Sequence, residues 1–244
     1  MDGLPIWAPI LIFIVAVLYS SVGHGGASGY LAVLSLLAIP RAEIATTALV
    51  LNILVAGTAC LSFYRSKHFS LALTWPFILL SIPGALIGGA IHVPESIYSL
   101  LLAVALLAAA IRLSGLINPL SNEENLRPLR LPAAIPLGGA IGLLSGVVGI
   151  GGGVFLSPVM LIARWANVKQ VAATAAFFIV VNSIAGLSSR MISHNADFGI
   201  IPVLPLAAFA GGLLGSSLGA RIFSSLALRR VLAAVLVTAA VKLL

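Results

Sequence analysis

Charge is almost missing from this chain: Asp, Glu, Lys and Arg make up 8% of its 244 residues, against roughly 25% in a soluble globular domain. That deficit excludes a water-soluble globule. Carboxylates are scarcest, with only six, and Glu43, Glu95 and Asp197 fall at the ends of apolar runs rather than inside them. Proton relays through buried Asp or Glu chains are thereby disfavoured, and a metal site lacks ligands. Cys60 is the single cysteine and lies within an apolar run, so no disulfide framework exists. Gly-x-Gly-Gly is present, but the Lys-Ser/Thr that completes a phosphate-binding loop is not. The expectation is a protein that is not an enzyme and carries neither cofactor nor metal.

What is present is apolar: 61% of residues are hydrophobic and the mean hydropathy is +1.19. A spanning helix needs about 20 such residues, and a segment that turns back inside the bilayer needs fewer. Charges, prolines and turn residues divide the chain into ten apolar segments, at 6–22, 28–39, 43–64, 70–91, 95–113, 132–148, 153–164, 168–192, 198–222 and 226–243. The first of them, with no basic residues before it and polar Ser20-Ser21 after it, reads as a retained segment rather than a signal peptide. The long polar stretch from Ser114 to Arg130 reads as a linker.

The two sides of that linker match. With an offset of 126, Gly23, Gly25 and Gly26 fall on Gly149, Gly151 and Gly152. With an offset of 127, Thr47 falls on Thr174, and Gly84 and Gly88 fall on Gly211 and Gly215. Five segments per half is an odd number, so the second copy enters the membrane from the opposite side. The predicted fold is an all-α polytopic membrane protein of two inverted-topology repeats, 1–113 and 132–244, joined by a linker at 114–131 and integrated into one membrane domain.

The formal charge of +7 comes from basic residues in short loops, where Lys and Arg set orientation rather than bind nucleic acid. Alternating segments place ten of the thirteen on one side and Arg41, Arg190 and Lys242 on the other. Both termini are therefore expected outside and the linker in the cytoplasm.

Segments 28–39 and 153–164 are too short to span: twelve residues reach about 18 Å, against a hydrocarbon core of about 30 Å. Each follows a glycine turn, so re-entrant or broken half-helices are expected. Irregular backbone at membrane depth is tolerated only beside protein or a water-filled cavity. Helices that begin there aim unpaired N–H groups and a positive dipole end into it, which makes an anion site. The candidate binding residues are Ser20, Ser21, Gly23, His24, Gly25, Gly26, Ser28, Tyr30, Thr47 and Asn52 in the first half. In the second half they are Ser145, Gly149, Gly151, Gly152, Gly153, Thr174 and Asn182. Ser157 and Ser183 add hydroxyls nearby. His24 stands alone as a titratable side chain at membrane depth, a position that suits a charge or proton role. The Gly84 and Gly211 motifs read as helix packing.

The turns Ser20-Ser21-Val22-Gly23-His24-Gly25-Gly26 and Ser145-Gly146-Val147-Val148-Gly149-Ile150-Gly151-Gly152-Gly153, with the Ala-Thr segments that follow them, resemble the TauE/SafE sulfite exporter family of bacterial permeases. The resemblance covers essentially the whole chain. It implies secondary transport of a sulfur-containing oxyanion or organosulfonate, such as sulfite, thiosulfate or sulfoacetate, across the bacterial inner membrane. The implied partners are a small anion and the lipid bilayer, with no nucleic acid; oligomeric state is left open. An anion channel on the same scaffold is one alternative. An intramembrane serine protease using Ser28 of Gly26-Ala27-Ser28-Gly29 is a remote one, since the second half carries Val154 at that position.

Overall fold

A computed structural model describes residues 5–36, 41–114, 126–193, 203–221, 237 and 240–241. The described residues are helical wherever they are regular, in nine elements. These are α1 (Trp7–Ser20), α2 (Ala27–Leu36), α3 (Arg41–Arg65), α4 (Leu71–Ala90) and α5 (Glu95–Ser114), then α6 (Leu131–Val148), α7 (Gly153–Ile162), α8 (Val168–Ile192) and α9 (Val203–Arg221). The first nine predicted segments find their helices to within a few residues. Most of the tenth, 226–243, and positions 115–125 of the linker lie outside the described residues.

Local signals account for the ends. The Ser70 side chain accepts the Leu73 N–H at the start of α4. Asn167 and Gln170 cap α8 reciprocally, side chain to backbone in both directions, which satisfies two of the donors a helix start leaves open. Among the described residues, four stretches are long and apolar enough to cross a membrane: Glu43–Arg65, Leu71–Ala90, Leu131–Val148 and Val168–Ile192. The helices after the two glycine turns are not. At ten residues each, α2 and α7 reach about 15 Å, half a hydrocarbon core.

The helices assemble into two bundles that do not follow the chain halves. The α9 helix packs on α1 and α3, while α4 packs on α6 and α8. Each half's fourth helix therefore lies in the other half's bundle. The α4–α6 contact is close because glycine removes side chains from both surfaces. A Cβ at Gly84 would lie 2.6 Å from the Gly139 carbonyl oxygen, and Gly138, Gly142 and Gly146 of α6 press on the backbones of Phe77, Ser81 and Ala85. Gly211, Gly215 and Gly219 of α9 press in the same four-residue rhythm on the backbones of Phe13 and Val17 of α1 and of Ser21 just after it. Dispersion between backbones replaces the hydrophobic drive that lipid does not supply. Polar contacts also join helices within each bundle: Ser62 Oγ donates to Ser216 O at 3.1 Å across α3–α9, and Thr74 and Thr174 hydroxyls meet at 3.2 Å across α4–α8.

Between the bundles, α3 lies along α8. Cys60 sits on this seam, half-buried beside Ala59, Phe63, Ala172, Ala173 and Ala176, as a packing residue.

These contacts set opposite outcomes for two glycines. Gly57, inside α3, has nothing within 4 Å of the position its Cβ would take, so Gly57→Ala is expected to stabilise the purified protein by about 0.5–1 kcal/mol through lost chain entropy. Gly88→Leu, driven into the α6 backbone, is expected to destabilise it by about 1–3 kcal/mol or more. Thermal unfolding in detergent measures both, and equal melting temperatures would refute this account of α4–α6.

Candidate functional site

The two glycine turns lie on the seam between the bundles. Residues 21–26 wrap the end of α1, with the Gly23 and His24 N–H groups donating to the Ser20 and Tyr19 carbonyls at 3.1 and 2.9 Å. Gly149, Gly151 and Gly152 take the left-handed conformation as the chain leaves α6. Five glycines there have φ between 76° and 93°: Gly23, Gly26, Gly149, Gly151 and Gly152. The requirement is plainest at Gly26 and Gly152, each directly before a short helix, where a Cβ would strain the backbone and collide with the Tyr30 or the Phe178 ring.

Each turn is seated on the opposite bundle's long helix. Gly23 presses on the backbone of Ala172 in α8, and Gly149 on Ala45 in α3. Ala45 and Ala172 are themselves separated by the offset of 127 seen in the sequence.

Asn52, buried on α3, joins the turns. Its Oδ1 accepts the Ala27 N–H at 3.0 Å, at the first residue of α2. Its Nδ2 donates to the Ile150 carbonyl at 3.0 Å and reaches Ser183 Oγ of α8 at 3.4 Å. The Cβ positions of Gly25 and Gly151 both fall against this amide. Glycine here is what lets one side chain reach both turns. Ile179 fills the other side, touching the Cβ positions of Gly25, Gly151 and Gly153.

His24 makes the second link. Its Nε2 lies 3.1 Å from Ser157 Oγ on α7 and its Nδ1 3.0 Å from the Val22 carbonyl, with the residue 4% exposed. Ser28, the remote nucleophile, is instead paired with Tyr19, hydroxyl to hydroxyl at 2.7 Å. A serine protease would instead need an imidazole on that hydroxyl.

The predicted residues thus sort by position. Gly23, His24, Gly25, Gly26, Asn52, Gly149, Gly151, Gly152 and Gly153 converge on the seam. Tyr30 lays its ring against Gly26, and its hydroxyl, like Ser145 Oγ and Asn182 Oδ1, is buried with no partner among the described residues. Asn182 Nδ2 donates to the Phe178 carbonyl of its own helix at 2.8 Å. Ser20 and Ser21 bond back to Val17 and Leu18 and face Gly215 and Gly219 of α9. Thr174 turns to Thr74, and Thr47 is buried on α3.

Arg190, which the charge count takes as a loop residue, lies instead inside α8 and is buried. Taken as a boundary charge, it is 9% exposed, and its guanidinium donates to the Gly146 and Val147 carbonyls at 3.0 and 2.7 Å. It covers the end of α6, where helix carbonyls lack partners and a positive charge is favoured. The signal was its spacing from Ser183 and Gly186, which puts all three on one helical face.

Known proteins point the same way. The sulfite exporter TauE/SafE family matches residues 8–243. A "probable membrane transporter protein y4hK" of Sinorhizobium fredii is 35% identical over the full length of both chains. The "probable membrane transporter protein YunE" of Bacillus subtilis is 35% identical over 78 residues, 32% of this chain and 29% of that one. No solved structure matches the chain. An apolar helical chain whose glycine turns meet at a buried polar seam, and which this family matches almost end to end, belongs to the TauE/SafE family of membrane transporters.

Proposed function

We propose that the protein is a secondary transporter, not an enzyme, which carries a sulfur-containing oxyanion or organosulfonate across the bacterial inner membrane by alternating access. The observation that carries this reading is the Asn52 bridge. A neutral amide oxygen on the first N–H of α2 marks that helix start as a place for an oxygen acceptor, and a sulfonate or sulfite oxygen is a better one because it is charged.

The magnitudes suit a carrier. A helix start contributes about 0.3–1 kcal/mol to binding an anion, up to about 2 in a buried geometry, and hydrogen bonds to a charged group about 1.5–3 each. Two helix starts and a few hydroxyls then offset desolvation with a small surplus, in the range of about millimolar to micromolar dissociation constants. A buried Arg clamp would hold the anion too long, and the guanidinium of Arg190 is spent on α6 carbonyls. The turns are buried, as an occluded state of a carrier requires.

The architecture of two inverted repeats, 1–113 and 132–244 about a linker at 114–131, belongs to the same proposal. It is supported by the equivalence of Gly84 on Gly139 with Gly211 on Phe13, and of Gly23 on Ala172 with Gly149 on Ala45: both members of each pair keep the sequence offset of 126 or 127. The bodies that move are then the exchanged bundles, since the glycine contacts lock α4 to α6 and α9 to α1.

Transport assays with radiolabelled thiosulfate and sulfite in proteoliposomes test the function. Gly25→Leu and Gly152→Leu should each lower saturable flux at least about tenfold, a loss of about 1.4 kcal/mol in transition-state stabilisation, with the protein still recovered folded from the membrane. Wild-type flux in both would refute the site. Orientation is checked in a Cys60→Ala background carrying Ser121→Cys: the proposed topology requires labelling from the cytoplasmic side only, and labelling from outside in intact cells would reverse it.

A further inference from the structure

We infer that the His24–Ser157 pair is a proton site linked to the anion, so that the protein carries a proton together with its substrate. The inference rests on the transport reading above and adds the co-substrate to it.

The argument starts from hydrogen positions. The Val22 carbonyl can only accept, so the ring nitrogen 3.0 Å from it, Nδ1, carries a hydrogen. Ser157 Oγ lies within reach of two acceptors, His24 Nε2 at 3.1 Å and the Gly153 carbonyl at 3.0 Å, and it has one hydrogen to give. In neutral His24, Nε2 accepts that hydrogen. Adding a proton at Nε2 reverses the contact: imidazolium donates to Ser157 Oγ, and the hydroxyl turns to Gly153 O. The His24–Ser157 hydrogen bond persists in both states with its direction reversed, and the hydroxyl's bond to Gly153 O forms only when the ring is protonated. The Gly153 carbonyl does not depend on the hydroxyl, because it is also placed to accept the backbone N–H of Ser157 within α7.

Charge then selects when the proton binds. The imidazole lies two residues before Gly26, ahead of the start of α2, and is hydrogen-bonded to the first turns of α7. Two positive dipole ends in an apolar interior oppose an imidazolium. An anion seated on those ends removes the opposition. Proton and anion therefore favour one another, and by linkage the effect is reciprocal.

The other titratable groups on elements around the pair are Tyr19 on α1, Tyr30 on α2, Arg41, Glu43, Cys60, Tyr64 and Arg65 on α3, Glu95, Tyr98 and Arg112 on α5, and Lys169 and Arg190 on α8. Tyr19 is engaged with Ser28, Tyr98 with the Val148 carbonyl, and Arg190 with α6. The second half has Ile150 where His24 stands, so one proton site is expected per chain.

The test is thiosulfate binding to the purified wild-type and His24→Gln proteins by titration calorimetry between about pH 5 and 8, the window in which histidine changes charge. Running it in buffers of different ionisation enthalpy counts protons. Thiosulfate keeps its charge throughout, so any pH dependence belongs to the protein. Wild-type affinity should tighten as pH falls, by up to about tenfold per unit, with uptake of up to one proton. His24→Gln should bind more weakly with a flat profile and no uptake. Binding without proton uptake in the wild type, or uptake that persists in His24→Gln, overturns the proton site and leaves anion transport standing. Absence of binding by the folded wild type, to thiosulfate and to sulfite, sulfate and sulfoacetate alike, overturns the transport reading and the linkage with it.

Discussion

A backbone that breaks its helix inside an apolar medium must find its hydrogen bonds from protein, because neither lipid nor bulk water can supply them. Everything distinctive here follows from two such breaks. An unpaired amide in an apolar surrounding costs several kcal/mol, so a turn at membrane depth survives only if other elements come to it. The end of α1 folds its last carbonyls onto residues 22–24, Arg190 covers the end of α6, and Asn52 supplies an acceptor to one turn and a donor to the other. None of these groups lies in the sequence segment it serves except the α1 carbonyls. The breaks thus oblige distant helices to meet, and the place where they meet is the candidate site.

Much of this was legible from residue order. Hydropathy located nine helices, and the glycine spacing marked both breaks and the short helices behind them, because apolar runs and positive-φ glycines are local properties. The four-residue glycine rhythm on α4 and α9 gave the packing faces for the same reason. What residue order withheld is pairwise. Thr174 and Thr47 match in sequence, yet Thr174 belongs to Thr74. Ser20 and Ser21 flank the first turn but point along α1 towards α9. Arg190 looked like a boundary charge because polarity along a chain says nothing about which neighbour's carbonyls lie opposite. The exchange of α4 and α9 between bundles was equally invisible, since both assignments bury the same apolar faces.

The scaffold repeats, but its chemistry does not. Within the proposed repeats, Asn52 corresponds to Ile179 and His24 to Ile150, so the amide and the imidazole both come from the first half while the second brings isoleucine to the same seam. Two equivalent polar sets would offer an anion two equivalent poses. On the proposed transport reading, one polar set and one apolar wall would orient it instead: oxygens towards the α2 start, Asn52 and His24, and any carbon portion towards Ile179. An organosulfonate has both ends to offer, whereas a bare oxyanion leaves the apolar wall unused.

The distribution of contacts also says where motion is cheap. The α4–α6 and α1–α9 interfaces are backbone against backbone over several turns, held by glycines that leave no slack. Sliding either by a fraction of a turn would drive carbonyls into Cα atoms. The seam between bundles is held differently, by the α3–α8 contact and a handful of hydrogen bonds from Asn52 and His24. Each such bond contributes about 0.5–1.5 kcal/mol net, a sum comparable with the few kcal/mol that separate interconverting states. A bound anion offers replacement acceptors to the same donors. On the proposed transport reading, the bonds that hold the seam closed are the ones a substrate would exchange, and the welded interfaces would carry that local exchange to whole bundles as rigid movement.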